Sequence, residues 1–258
     1  MILAIDIGNT NIVIGGFEGE SLNFVARLST DPRKTDSEYA ATIKSVIALK
    51  SEKTAYVRGA IISSVVPQIT HGLKSAVKMV YGVEALIVGP GVKTGINLLV
   101  DNPSQVGADL ICACVAAYNM YEPPVLITDM GTATKMIVVD EHAAFKGVSI
   151  IPGVELSLKA LAGGTAQLPQ ISLEAPKTVI AKNTVECMKS GVVFGNAALV
   201  DGMVDRIFDE LKTKATLVAT GGLARIVIPH CRHKITIDDN LLLNGLYIIY
   251  KKNYPQEN

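Results

Sequence analysis

The first part of the chain alternates apolar runs with short polar or glycine-containing turns, which is the pattern of strands joined by hairpins. It predicts three successive strands with the sequences MILAID, NIVIGGFE and LNFVARLS. A helix is predicted next, from about Asp36 to Leu49. Thr35 and Glu38 have the spacing of a capping box, which favours a helix start at this point.

The segment after this helix predicts a second group of elements. A nearly continuous apolar run, GAIISSVVP, indicates a buried strand. A helix from about Ile69 to Tyr81 and a strand in EALIVG follow it. The stretch from Gly89 to Val106 is rich in Gly, Pro and Asn and is predicted to be a long connection. The next helix is predicted from Ala108 to Tyr121, and Pro123 and Pro124 end it.

The second part of the chain repeats this order of elements. The sequences VLITDM, KMIVVD and GVSII predict three strands, and PGVELSLKALAGG predicts the helix after them. A long helical stretch is expected from Asn183 to Leu211, broken or loosened at Gly191, Gly195 and Gly202. ATLVATGG and KITID predict two further strands, and a closing helix is predicted from Asn240 to Lys252.

These repeated β-β-β-α-β-α units predict an α/β protein of two related half-domains, with residues 1–121 in the first and residues 122–258 in the second. The arrangement resembles the actin-like ATPase and sugar-kinase superfold. Each half is therefore expected to be a ribonuclease-H-like mixed sheet with helices on its faces. The resemblance implies a nucleotide between the two halves, but a fold by itself does not define a function.

The amino-acid composition limits which binding partners and which cellular location we expect for the protein. The 258 residues are 49% hydrophobic and 19% charged, which fits two small α/β domains with a large core. Lys+Arg and Asp+Glu both number 24, so electrostatics gives no reason to expect nucleic acid or an acidic membrane as a partner. The sequence shows no signal peptide, no apolar run as long as a membrane span and no CxxC pair. We expect buried, reduced cysteines and a cytoplasmic location.

The sequence IDIGNTNIVI, residues 5–14, places Asp6 between an apolar strand and a Gly-Asn-Thr-Asn turn. A carboxylate at the end of a buried strand needs a cation or hydrogen-bond donors. Mg²⁺ prefers one or two carboxylates together with waters and phosphate oxygens, so Asp6 is a candidate for holding hydrated Mg²⁺ near a transferring phosphate. The alternative is a structural Asp6 that bonds the backbone of its own turn.

The sequence ITDMGTATKMIVV, which starts at Ile127, repeats this arrangement with Asp129, Gly131 and Thr132. The glycine allows a tight turn, and the Thr132 hydroxyl is able to reach a phosphate oxygen. Asp129 is suited either to bind a cation or to lie opposite one. The sequence leaves these two roles open.

Asp109 follows Gly107 and Ala108 at the predicted start of a helix. An Asp in this position is frequently only a cap that the helix dipole stabilises. Phosphoryl transfer to an alcohol, however, requires a group that accepts the hydroxyl proton. Because Asp6 and Asp129 are the candidates for phosphate and cation, Asp109 is the best remaining candidate for this base.

Two further motifs have a purely structural interpretation beside a functional one. Gly221 and Gly222 follow a predicted strand, and such a turn lets the backbone approach an adenine or a ribose, but it also serves as an ordinary strand–helix turn. Asn183 or Thr184 is expected to be the N-cap of the long helix.

Six segments occur in the order and spacing of the type III pantothenate kinases: IDIGNTN, DNPSQVGAD, TDMGTAT, IPGVELSLKAL, KNTVECMKSG and ATGGLA. This resemblance runs from Met1 to about Gly245. It implies ATP-dependent phosphorylation of pantothenate at its primary hydroxyl, the first step toward coenzyme A. It also implies a cytoplasmic homodimer that uses Mg²⁺ and either K⁺ or NH₄⁺.

The same resemblance implies roles for individual residues. Asp109 matches the proton acceptor, Asp129 matches the ligand of an activating monovalent cation, and Thr184 matches a pantothenate contact. Gly107 and Ala108 match the substrate loop beside Asp109. The positions that match ATP contacts are Asp6, Ile7, Gly8, Asn9, Thr10, Asn11, Ile12, Val13 and Thr132.

Four positions depart from the family pattern. Leu110 stands at a family Arg and Val100 at a family Tyr that contacts substrate, which makes the acceptor pocket less polar. Lys135 stands at a family Thr and Lys146 at a family Gly. Losing one charge-assisted hydrogen bond costs about 1.5–3 kcal/mol, or roughly one to two decades in rate or affinity. Two alternatives therefore stay open: an accessory nucleotide-binding relative, and a kinase of a less polar small alcohol.

Overall fold

The computed structural model describes residues 1–50 and 56–255 and forms two compact units. Unit 1 contains Met1–Ile96, Asp101–Ala116 and Leu241–Asn258. Unit 2 contains Asn97–Val100 and Ala117–Asn240. Each unit has its own mixed β-sheet and its own hydrophobic core.

The sheet of unit 1 has the strand order β3-β2-β1-β4-β5. Its strands are β1 (Ile2–Ile7), β2 (Asn11–Glu18), β3 (Ser21–Ser29), β4 (Gly59–Ser64) and β5 (Ala85–Ile87). The central strand β1 runs antiparallel to β2 and parallel to β4. Every residue of β1 is buried except Asp6, which is half-buried near the carboxyl end of the strand. The core of the sheet therefore holds this carboxylate in a fixed place.

Two of the three helices of the first half begin at the predicted residue, Asp36 for the first and Ala108 for the third, whereas the second begins at Pro67, two residues before the predicted Ile69. The three helices are α1 (Asp36–Lys50), α2 (Pro67–Tyr81) and α3 (Ala108–Met120). The capping box at α1 is confirmed, because the amide of Glu38 donates to Thr35 Oγ1 at 3.3 Å and the amide of Thr35 donates to Glu38 Oε2 at 2.8 Å.

The sheet of unit 2 has the strand order β11-β10-β7-β8-β9-β6. Its strands are β6 (Asn97–Leu98), β7 (Val125–Met130), β8 (Ala133–Val139), β9 (Ala144–Pro152), β10 (Thr216–Thr220) and β11 (Thr236–Ile237). Strand β7 runs antiparallel to β8 and parallel to β10, as β1 does with β2 and β4. The predicted repeat of one strand arrangement is confirmed.

The helices of unit 2 are α4 (Val154–Gly163), α5 (Thr184–Leu211) and the short α6 (Ala224–Val227). Helices α4 and α6 both pack against α5. The predicted break in this region is wrong, because α5 is continuous through its glycines. Its buried valines, which include Val192, Val193 and Val200, supply the packing that outweighs the low helix propensity of glycine.

The last helix, α7 (Leu241–Asn253), packs against β1 and β4 of unit 1. A Cβ atom at Gly245 would lie 2.7 Å from the carbonyl carbon of Cys112, so this glycine lets α7 approach α3 closely. Helix α7 thus belongs to the compact unit of the first strands, whereas the predicted second half-domain includes it. The predicted connection from Gly89 to Val106 contains β6 and a single 3₁₀ turn, Pro103–Gln105.

Two findings concern the expectations from composition. Among residues 1–50 and 56–255, the structure contains no helix that is both long and apolar enough to cross a membrane. Cys112 and Cys114 are buried, as predicted, whereas Cys187 is exposed and Cys231 is partly exposed. The prediction of buried cysteines is therefore wrong for Cys187.

Candidate functional site

The turn between β1 and β2 presents three exposed polar side chains, which begin three residues after the half-buried Asp6. The amide of Gly8 donates to the carbonyl of Asn11 at 3.0 Å and closes the turn. The hydroxyl of Thr30 donates to the carbonyl of Gly8 at 2.7 Å and ties the turn to the end of β3. This geometry holds the turn in place while its side chains (Asn9, Thr10 and Asn11) face solvent.

Asp109 is the second residue of α3 and is half-buried. The amide of Leu110 donates to Asp109 Oδ1 at 2.9 Å. A Cβ atom at Gly107 would collide with the same oxygen. Gly107 therefore leaves the space that the carboxylate occupies, and the first turn of the helix orients it.

The charges of Asp6 and Asp109 both affect the pKa of Cys112, which lies one helical turn after Asp109. Burial raises the pKa of the Cys112 thiol well above its ordinary value, and the negative charges of Asp6 and Asp109 raise this pKa further. Both carboxylates must therefore lie near one buried point of unit 1. The structure brings together two acidic residues that are about one hundred positions apart in the sequence.

The second acidic hairpin differs from the first because a lysine faces its carboxylate. Asp129 on β7 and Lys135 on β8 are directly opposed in the antiparallel register. Lys135 Nζ lies 2.8 Å from Asp129 Oδ2, and only 18% and 16% of the two side chains are exposed. Of the two roles that the sequence leaves open for Asp129, this geometry corresponds to a carboxylate that lies opposite a cation.

Two glycines pack against the turn that joins β7 and β8. A Cβ atom at Gly153 would collide with the carbonyl oxygen of Thr132. A Cβ atom at Gly221 would lie 2.6 Å from the carbonyl oxygen of Met130, and the φ of Gly221 is +95°. Close packing and a left-handed backbone therefore explain Gly221 without a ligand. Thr132 is exposed on this turn, whereas Thr134 is buried.

An open pocket of about 870 Å³ lies in unit 2 at the start of α5. Thr184 lines it together with Lys182, Ser157 and Cys187. The side chain of Asn183 accepts the amide of Glu186 at 3.0 Å, which identifies Asn183 as the N-cap of α5. Thr184 is therefore not the cap residue, and it is exposed at the pocket.

Sequence reasoning did not single out Ser157, Lys182 or Cys187 as pocket residues. Lys182 directly precedes the predicted Asn183–Thr184 cap, so this cap is a sequence signal that could have identified it. Ser157 and Cys187 lie on α4 and α5, and only the packing of these two helices brings them to one pocket.

The four departures from the family pattern have different surroundings. Leu110 is only 7% exposed, so its apolar side chain belongs to the core. Val100 is half-buried, and Lys146 is exposed on β9. Lys135, by contrast, is engaged with Asp129. Burial of Leu110 explains why an apolar residue is stable there.

The sequence matches the family described as type III pantothenate kinase over residues 2–206. A type III pantothenate kinase of Exiguobacterium sp. is 44% identical over 253 residues, which is 98% of this chain and 99% of that protein. A type III pantothenate kinase of Brevibacillus brevis is 42% identical over 253 residues, with the same coverage of 98% and 99%.

Solved structures of lower identity share the fold. A Campylobacter jejuni protein, assigned in its description to the Baf family of transcriptional activators, aligns with a TM-score of 0.60 at 20% identity and covers 98% of this chain and 99% of its own. Component A of (R)-2-hydroxyglutaryl-CoA dehydratase from Acidaminococcus fermentans aligns with a TM-score of 0.59 at 13% identity and covers 99% of both chains. These similarities confirm the predicted actin-like ATPase and sugar-kinase fold.

Proposed function

The chain belongs to the type III pantothenate kinase family, and we propose that it performs the reaction of that family with Asp109 as the proton acceptor. The protein is a kinase that phosphorylates pantothenate with ATP in the first step of coenzyme A biosynthesis. The observation that carries the assignment of Asp109 is the place of the Gly107–Asp109 loop near the end of β1. A Cβ atom at Gly107 would lie 3.7 Å from Cγ1 of Val65, and the amide of Val65 donates to the carbonyl of Ile7, the residue after Asp6, at 3.0 Å. A base beside the residue assigned to Mg²⁺ and phosphate lies where proton transfer is needed.

In the proposed reaction, the primary hydroxyl of pantothenate attacks the γ-phosphorus of ATP in line with the leaving oxygen. A bond forms between the hydroxyl oxygen and the γ-phosphorus, and the bond from the γ-phosphorus to the β–γ bridging oxygen breaks. The hydroxyl proton passes to the carboxylate of Asp109, and ADP leaves. Most of the rate enhancement comes from positioning and from charge stabilisation.

The surroundings of Asp109 support its role as the base. One carboxylate oxygen is oriented by the amide of Leu110 at 2.9 Å, so the side chain does not have to be ordered when substrate binds. The absence of a side chain at Gly107 keeps space beside that oxygen. We assign Gly107 and Ala108 to the loop that contacts pantothenate next to Asp109.

We assign ATP binding to residues 6–13 and to Thr132. Asn9, Thr10 and Asn11 are exposed, and their side chains carry hydrogen-bond donors of the kind that bind phosphate oxygens. Gly8 lets the phosphate come close to the backbone. The remaining positions, Ile7, Ile12 and Val13, are buried or half-buried strand residues that hold the turn.

Asp6 fits the resident Mg²⁺ that the resemblance implies. Its carboxylate is a hard oxygen donor, and its half-buried position at the end of β1 is close enough to Asp109 for both to affect Cys112. Within residues 1–50 and 56–255, no group of three or more His, Cys, Asp or Glu side chains forms a metal cage. Asp6 would therefore hold the ion through water. When bound, Mg²⁺ neutralises charge on the phosphate oxygens.

Asp129 does not fit the monovalent cation that the resemblance implies. The ammonium group of Lys135 lies 2.8 Å from its carboxylate, so this carboxylate already has a positive partner. The proposed reaction contains no step through K⁺ or NH₄⁺.

Thr184 is assigned to pantothenate binding. Its side chain is exposed at the 870 Å³ pocket, and Asn183 takes over the capping of α5. The hydroxyl of Thr184 is suited to bond the amide or hydroxyl groups of pantothenate. Lys182 adds a positive charge to the same pocket, which suits a substrate with a carboxylate.

The decisive experiment measures ADP release by the full-length chain with ATP, Mg²⁺ and pantothenate. We expect ADP and phosphopantothenate in equal amounts, with the product identified by mass spectrometry. A panel of less polar primary alcohols is assayed in parallel. Release of ADP with one of these alcohols but not with millimolar pantothenate would contradict the assigned acceptor, and no transfer to any acceptor would contradict the kinase assignment.

We further propose a homodimer and a cytoplasmic location, which the resemblance to the family implies. Light scattering during size-exclusion chromatography tests the first proposal, since it separates the mass of two chains from the 27.4 kDa of one. Fractionation of the native host, followed by the kinase assay, tests the second.

A further inference from the structure

The ion pair between Asp129 and Lys135 is fixed by the sheet. The two residues are partners in the register of β7 and β8, and directly opposed residues of an antiparallel pair hold their side chains within contact distance. Nζ of Lys135 and Oδ2 of Asp129 are 2.8 Å apart. The position of the ammonium group is therefore set by strand pairing and does not depend on a flexible loop.

The pair leaves no electrostatic need for a second cation. Both side chains are more than four-fifths buried, and a carboxylate in such a place needs a positive partner or hydrogen-bond donors. Lys135 supplies that partner at the distance of a charge-assisted hydrogen bond. A metal or ammonium ion at the same carboxylate would place two positive charges close together, and their repulsion is stronger in a partly dehydrated site than in water.

A lysine ammonium group is chemically similar to the ions that it would replace. It carries one positive charge, as K⁺ and NH₄⁺ do, and it binds oxygen through up to three N–H donors. It differs in being covalently attached, so it is present at every turnover and loses no translational freedom on reaching the site.

We propose that the ammonium group of Lys135 takes the place of the activating monovalent cation, and that this kinase works without added K⁺ or NH₄⁺. The inference rests on the proposed function, because that function implies an activating cation at Asp129. It assigns to Lys135 a role as a positioning residue that holds a positive charge at the second acidic hairpin.

The first test measures the kinase activity of the native chain with tetramethylammonium as the only monovalent cation. This ion is too large to bind as K⁺ does. Addition of KCl or NH₄Cl at constant ionic strength is expected to change kcat/KM by less than about twofold. Stimulation of about tenfold or more would overturn the inference, because that is the size of one lost charge-assisted interaction.

The second test uses Lys135→Thr, which removes the ammonium group and leaves the Asp129 carboxylate. In tetramethylammonium we expect kcat/KM to fall about ten- to a hundredfold, and K⁺ or NH₄⁺ to restore it. Lys159→Thr is the matched control, since Lys159 pairs with Glu155 on the exposed face of α4. This variant should keep native activity and gain no response to K⁺.

The third measurement does not require turnover. The thermal unfolding midpoint of each protein is recorded in KCl and in tetramethylammonium chloride. The native chain should show no K⁺-specific rise, whereas Lys135→Thr should show a saturable one, because only the variant has a vacant cation position. If the chain phosphorylates no acceptor, the proposed function fails while these melting curves still decide the cation question.

Three results would overturn the inference: K⁺ activation of the native chain, a K⁺-specific rise in its melting midpoint, or full activity of Lys135→Thr without K⁺. If Lys135→Thr does not fold, the measurements on the native chain decide alone.

Discussion

The backbone of Gly153 packs directly on the carbonyl oxygen of Thr132, so closely that a Cβ atom would collide with it. Gly153 is the residue before α4, and Thr132 lies on the turn between β7 and β8. The same Cβ atom would lie 2.7 Å from the carbonyl oxygen of Gly131. The turn assigned to ATP is thus held by backbone packing against the start of a helix.

Gly153→Ala should displace this turn. We expect the free energy of unfolding to fall by about 1–3 kcal/mol, the range for inserting an atom into packed structure. The KM for ATP should rise about tenfold, because the Thr132 hydroxyl moves away from its phosphate. Urea unfolding and ATP saturation curves measure the two effects. Gly163→Ala is the control: it adds the same atom to α4 where no neighbour lies within 4 Å, and both quantities should stay close to native.

Asp109→Asn should lower kcat by about 10²–10⁴, the contribution of a general base, while ATP affinity stays close to native. Asp36→Asn is the matched control. Asp36 is also in a first helical turn, and its Oδ1 accepts the amide of Ser37 at 2.8 Å, as Asp109 Oδ1 accepts that of Leu110. Steady-state kinetics and calorimetric titration with an ATP analogue provide the measurements. Equal loss of activity in both variants would show that Asp109 acts through the helix alone.

One cysteine should react much faster than the other three with a thiol-specific disulfide reagent at pH 8. Cys187 is exposed, whereas burial raises the pKa values of Cys112 and Cys114 and raises that of Cys231 to about 12. Cys187→Ser should remove the fast phase, and Cys231→Ser should leave it intact. All four thiols should react in denaturant. A second fast thiol in the native protein would contradict the described burial.

Tyr121 should titrate late and make the fold sensitive to alkali. Burial, together with the negative charge of Asp238, raises its pKa from 10.0 to about 12. Oδ2 of Asp238 accepts the Tyr121 hydroxyl at 3.1 Å. Because the folded pKa is the higher one, this contribution to stability is complete below pH 10 and is lost as the pH rises toward 12. NMR of ¹³Cζ-labelled tyrosine measures the titration. Asp238→Asn should lower the pKa of Tyr121, and an unchanged pKa would refute the contribution of Asp238.

Local signals predicted most elements because short-range chemistry sets them. The Thr35–Glu38 capping box fixes the start of α1, and Asn183 fixes the start of α5. The predicted break in α5 is absent, because the burial of its valines depends on α4 and α6, which a local glycine count cannot include. The attachment of α7 to unit 1 depends likewise on a contact between Gly245 and Cys112, far apart in the sequence.

The same distinction between local and long-range features applies to the candidate site. The acidic residues and their turns were found from motifs, because each motif is a local strand–turn unit. The proximity of Asp6 and Asp109 to Cys112 and the burial of Leu110 required the folded chain.

By itself, the sequence determined the order of most strands and helices and the repeated acidic hairpins, since each depends on residues that are close along the chain. The order and spacing of six motif segments indicated the family. Only the tertiary structure decided where the side chain of Lys135 points. Its direction follows from the register that pairs β8 with β7, and this register places the ammonium group on the carboxylate of Asp129. In the sequence, Lys135 is one added positive charge. In the fold, that charge is the positive partner of the Asp129 carboxylate.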